Sequence, residues 1–81
     1  MAEVELRYFA AAAEAAGRDT ERVETDAATV GALATLVAER YGPAMARIIE
    51  KGSLLSDGIV VRDTGRPLGA RLDVLPPFTG G

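Results

Sequence analysis

The stretch TVGALATLVAERYGP, residues 29–43, decides how the rest of the chain must be arranged. Thr29 is a good helix N-cap, because its hydroxyl can accept from an N–H of the first turn. Val30, Leu33, Leu36, Val37 and Tyr41 then recur at three- and four-residue spacing until Gly42-Pro43 stops the run. The spacing predicts one long amphipathic helix, and its single apolar stripe needs a surface to lie on.

Working outward, that surface is written on both sides. Before the helix, VELRYF (4–9) alternates, with Val4, Leu6 and Tyr8 on one face and Glu5, Arg7 and Phe9 on the other, the period of a half-buried strand. The alanine run 10–16 favours a short helix closed by Gly17, and Thr20 to Thr25 reads as a second strand with Val23 inward. After the helix, residues 44–50 continue as a further helical piece ending near Gly52. Short apolar runs follow, at 54–55, 59–61 and 71–75, separated by turn residues at 56–58 and 63–67. Strands on either side of one main helix imply a mixed sheet covered on one face, an α+β fold. The expected core is Leu6, Val23, Val30, Leu33, Val37, Ile48, Ile59, Val61, Leu72 and Val74.

The composition excludes several kinds of function. The 81 residues leave room for one core. A net charge of −3 argues against a nucleic-acid footprint or an anionic membrane surface and favours a basic partner. Histidine, cysteine and tryptophan are all absent, so the near-neutral general base, the thiolate nucleophile and the common zinc ligands are missing together. No metal site is expected. The twelve carboxylates are scattered among opposite charges rather than gathered as a catalytic pair. No signal-peptide pattern opens the chain and no segment is long and apolar enough to span a membrane, which reads as a soluble cytoplasmic protein. Lys51, the single lysine, falls in a last helical turn, where the helix dipole favours a cation. Asp57-Gly58 reads as turn chemistry.

The chain closes on LPPFTGG, residues 75–81. Pro76 has no N–H and ends ladder pairing, and the two prolines hold the backbone extended, dividing the chain into a domain at 1–75 and a tail at 76–81. Extended at about 3.1–3.4 Å per residue, the tail reaches roughly 20 Å. Phe78 can anchor it in an apolar pocket, while Gly80 and Gly81 pass where a Cβ would not. Activated as an acyl-adenylate, the Gly81 carboxylate would be open to attack by sulfide or a persulfide.

These features resemble the MoaD family, the small subunits of molybdopterin synthase, and more broadly the ubiquitin-like sulfur carriers that include ThiS. The resemblance runs from the opening Val-x-Leu-x-Tyr-Phe-Ala through Thr29-Val30 and Pro67-Leu68 to Leu-Pro-Pro-x-x-Gly-Gly. It departs at Leu68–Arg71, where such carriers have a longer Gly-Asp turn. It implies a β-grasp fold with the first and last strands as parallel neighbours. It also implies a non-catalytic subunit that binds no cofactor itself. An E1-like, MoeB-like adenylyltransferase would spend ATP to adenylate Gly81, and a sulfur donor protein would convert it to a thiocarboxylate. A MoaE-like large subunit would then receive the sulfur for the dithiolene of molybdopterin. Gly80 and Gly81 would carry the chemistry, with Pro76, Pro77, Phe78 and Thr79 gripped by the partner. Phe9, Val60 and Leu75, each out of phase with its strand's inward residues, would form the docking patch. The alternatives are a carrier for thiamine thiazole or cysteine synthesis, a modifier that forms isopeptide bonds through Gly81, and an interaction module with an inert tail.

Overall fold

The computed structural model describes residues 2–77. Five strands, β1 (Ala2–Tyr8), β2 (Thr20–Thr25), β3 (Ser53–Ser56), β4 (Ile59–Val60) and β5 (Arg71–Leu75), form one sheet in the order β2-β1-β5-β3-β4. Three helices, α1 (Ala11–Ala16), α2 (Val30–Tyr41) and α3 (Pro43–Lys51), supply the rest. β1 runs parallel to β5 and antiparallel to β2, while β3 is antiparallel to both β5 and β4. The expected α+β architecture is therefore present, with the first and last strands side by side at its centre.

Local chemistry sets the boundaries. The Thr29 hydroxyl accepts from the Ala32 N–H at 3.1 Å, capping α2 as expected. Gly42 turns the chain from α2 into α3 at a φ of 91°, a value that favours glycine, and Pro43 opens α3 where its missing N–H costs nothing. Asp57 stands at a φ of 50° in the β3–β4 turn, and its carboxylate accepts from the N–H groups of Ala70 (3.1 Å) and Arg71 (2.9 Å). That turn thus clamps the start of β5. The segment that departs from the MoaD pattern begins beside the start of α2, where the Leu68 N–H donates to the Ala28 carbonyl at 3.2 Å, and ends at the Asp57 clamp.

Val4, Leu6, Tyr8, Leu72, Val74 and Leu54 from the sheet pack with Val30, Leu33, Ala34 and Val37 of α2, Ala12 of α1 and Met45 of α3 in one buried cluster. Six of the ten expected core residues are in it. Val23, Ile48 and Val61 pack against it but are only half-buried. Ile59 is not core at all: it is 55% exposed. The reason is positional, since β4 is a two-residue strand at the edge of the sheet, where facing inward leaves a side chain largely in water. Leu36, on the apolar spacing of α2, is likewise 49% exposed.

Candidate functional site

Parallel pairing aligns Tyr8 with Val74, so Phe9, the residue after β1, lies at the same end of the sheet as Leu75, the last residue of β5. The Phe9 N–H still donates to the Val74 carbonyl at 3.1 Å. Cross-strand partners share a face. Val60 is paired with Leu55, Leu55 with Asp73 and Asp73 with Arg7, which makes a row across four strands on the side away from the helices. Phe9 (40% exposed), Leu75, Leu55 and Val60 (47% exposed) form the apolar part of this open face. The three patch residues expected from alternation do lie on one face. Leu55, which joins them, was missed, although of two adjacent leucines in a strand one must point away from the core.

The polar centre of the face is Asp73. It is buried, and Arg7 donates to both of its oxygens, from Nε at 2.8 Å and Nη2 at 2.9 Å. Arg71 Nε lies 3.6 Å from the same carboxylate and is itself buried without a hydrogen-bond partner among the described residues. The Arg7 hydrogen bonds, against the opposing effect of burial, hold the Asp73 carboxyl below its ordinary range. The Arg7 guanidinium also lies 5.5 Å over the Phe9 ring, so one side chain steadies both the ion pair and the aromatic.

A second buried carboxylate lies elsewhere, against α2. Glu21 accepts from the hydroxyls of Tyr8 (2.8 Å) and Tyr41 (2.8 and 2.9 Å), with Arg18 at 3.1 Å and Arg40 at 4.0 Å. Burial pushes this carboxyl up, but the two hydroxyls and two arginines outweigh it and the net shift is downward. Burial, then the Glu21 contact, raises both tyrosines. A carboxylate held ionised by three hydrogen-bond donors and a further arginine charge is a poor proton acceptor, and the cluster ties β1, β2 and α2 together rather than doing acid–base work. Among the described residues no group of three acidic, histidine or cysteine side chains is placed to hold a metal ion. No helix among them is long and apolar enough to cross a membrane.

Leu75 ends β5, and Pro76 and Pro77 follow it half-buried. Together with Ala10, Ala11, Arg47 and Ile48 they line a groove of about 370 Å³. Phe78, Thr79, Gly80 and Gly81 lie outside the described residues. Lys51 is exposed in the last turn of α3, where the helix dipole accounts for it.

A mixed five-stranded sheet covered by helices on one face, with an open face that runs into the root of a Gly-Gly tail, defines a ubiquitin-like β-grasp protein of the sulfur-carrier or modifier class. The chain belongs to the ThiS family, whose model matches residues 6–81. Among solved structures, it is similar to the Haloferax volcanii HVO 2177 protein, at 33% identity over 99% of this chain and 87% of that one, with a TM-score of 0.75. Small archaeal modifier protein 1 from the same organism shares 28% identity over 96% of this chain and 100% of its own, with a TM-score of 0.77. The fold is also that of a Pyrococcus furiosus protein assigned as molybdopterin converting factor subunit 1, with a TM-score of 0.80 at 23% identity over 96% of this chain and 100% of that one. No curated protein matches the chain.

Proposed function

We propose that this protein is the sulfur-carrier subunit of a molybdopterin synthase, acting through a thiocarboxylate at Gly81. The observation that carries the reading is the placement of the Leu-Pro-Pro tail at the margin of the open apolar face, so that a partner gripping Phe9, Leu75, Leu55 and Val60 receives the tail beside its grip. The assignment to molybdopterin rather than to thiamine thiazole or cysteine synthesis rests on the Pro-Pro-Phe-Thr-Gly-Gly motif.

The chemistry belongs to the partners. In an E1-like enzyme the Gly81 carboxylate attacks the α-phosphorus of ATP and pyrophosphate leaves. A persulfide sulfur of the donor protein then attacks the acyl carbon and AMP leaves. A second donor thiol cleaves the S–S bond, so the donor ends as a disulfide and Gly81 as a thiocarboxylate. A MoaE-like large subunit takes the sulfur from the tail, and this chain binds no cofactor. What it contributes is a patch for recognition and a glycine carbonyl without steric hindrance.

The test is the intact mass of the chain after incubation with the activating enzyme, ATP and a sulfur donor. Replacement of one oxygen by sulfur at the C-terminus is expected, followed by molybdopterin formation when the large subunit and pterin precursor are added. Deleting Gly81 withdraws the carboxylate by roughly 3.3 Å and should abolish both while leaving the melting temperature unchanged. Wild-type rates from the deletion would overturn the proposal.

Similarity to small archaeal modifier protein 1 supports a second reading, in which the activated Gly81 is transferred to a lysine amine of a target protein. Lysine-linked adducts that persist in denaturing gels and depend on Gly81 would favour it.

A further inference from the structure

Gly52 ends α3, leads into β3 and lies against the root of the tail. Ser53 is paired with Leu75, so Gly52 stands opposite Pro76, where the ladder has run out because proline has no N–H to give. A Cβ on Gly52 would collide with the Leu75 carbonyl oxygen and come 2.7 Å from the Ile48 carbonyl oxygen and 3.0 Å from the Pro76 carbonyl carbon. All three are backbone atoms, which cannot swing aside as a side chain would. The φ of Gly52 is −90°, open to any residue, so it is lack of space and not backbone conformation that requires glycine here. Its N–H donates to the Ile48 carbonyl at 2.7 Å, which fixes it to the end of α3. Pro76 and Pro77 themselves line a groove together with Ala10, Ala11, Arg47 and Ile48.

We infer that Gly52, backed by this groove, is a positioning residue that sets the direction in which the tail leaves the fold. The geometry stands by itself, whereas its consequence for activation rests on the sulfur-carrier reading. Alanine at position 52 must displace the Leu75 carbonyl, and the tail beyond is a lever of roughly 20 Å when extended. A small angular change at its root therefore moves the reacting carboxylate by several times the shift that costs a reaction about 10²-fold. Of the four apolar open-face residues only Leu75 adjoins the added Cβ, and Phe9, Leu55 and Val60 do not, so most of the surface for recognition by the partner persists.

The test uses the full chain with Gly52→Ala and, as a variant that opens the groove without adding bulk, Ile48→Ala. The absence of native cysteine allows nitroxides to be placed specifically at Glu39→Cys and Thr79→Cys, and the distance distribution between them reads the tail direction directly. A shifted distribution in Gly52→Ala and a broadened one in Ile48→Ala are expected. In the unlabelled chains, kcat for ATP–pyrophosphate exchange with the E1-like partner should fall on the order of tenfold or more in Gly52→Ala while KM stays within about threefold, a split that general destabilisation would not produce. Unchanged distance distributions in both variants would overturn the inference, and so would a redirected tail with unchanged kcat. If Gly52→Ala shows no cooperative melt, Ile48→Ala decides. If the wild-type chain is not adenylated, the carrier reading fails and the distance measurement alone judges Gly52.

Discussion

Val4, Leu6 and Tyr8 of β1 and Leu72 and Val74 of β5 are all buried beneath the helices, whereas their neighbours one residue along, Arg7, Phe9, Asp73 and Leu75, face the other way, and of these only Asp73 is buried. The same two strands thus present two surfaces with different energetics. On the covered face each side chain is removed from water by the fold itself, so packing density and apolar area decide stability. On the open face the apolar groups stay in contact with water and add little to folding, while one desolvated carboxylate depends on two arginines. The contrast teaches that alternation separates the residues that hold the domain together from those available to a partner, with Asp73 as the one open-face residue that belongs to both.

The largest break in that comparison should come from the covered side. Leu33→Ala removes a buried α2 side chain from the centre of the core and should cost about 2–5 kcal/mol, read as a lower urea midpoint at unchanged m-value. An unchanged midpoint would refute the covered face as the source of stability. Asp73→Ala tests the exception. It leaves Arg7 and Arg71 facing each other without their shared carboxylate and should cost about 1–3 kcal/mol, an effect from the open face that no exposed apolar residue there should match.

Acidification sharpens the comparison further, because each buried carboxylate serves a different side: Asp73 the open face, Glu21 the seam between β1, β2 and α2. Both have folded-state pKa values below their unfolded ones, so the stability they contribute is present above the unfolded value and is lost as pH falls through the folded one. Urea midpoints should fall from about pH 4 downward, and Glu21→Gln, though less stable at neutral pH, should lose less on acidification than the wild type. Equal slopes would remove Glu21 from the pH dependence. The smallest change in stability should come from Phe9→Glu, within about 0.5 kcal/mol, although binding to the partner proposed above should weaken markedly. Equal binding by mutant and wild type would take Phe9 out of the docking surface.

Much of this architecture was legible because local and global signals agree. The Thr29 cap, the stripe from Val30 to Tyr41, Gly17 at the end of α1 and the alternation of Val4 to Tyr8 each point to the element that forms. Phe9, Val60 and Leu75 were found by being out of phase, a signal that needs no knowledge of their neighbours. What escaped depends on which elements meet. Ile59 has the right phase, but it sits on a two-residue strand at the edge of the sheet. Asp73 reads as one more charge on a solvated face until Arg7, 66 residues away, is brought beside it. The donors around Glu21 come from β1, α2 and the turn before β2, and the crowding at Gly52 arises only where α3 ends against the last strand. Composition dictates that the Pro76-Pro77 segment is stiff, but the groove it shares with α1 and α3 has no local signature.

The parallel pairing of β1 with β5 has a consequence for how the protein is made. Domains fold from the N-terminus as they emerge from the ribosome, yet here the first strand emerged cannot complete its pairing until the last strand has been synthesised. A chain that stops before Arg71 lacks the central strand and leaves β1 with a bare edge, a species suited to degradation or aggregation. Completion of the fold and arrival of the tail's root are therefore one event in biosynthesis. An activating enzyme that recognises the open face is offered, by that dependence alone, only chains translated at least as far as the start of the tail.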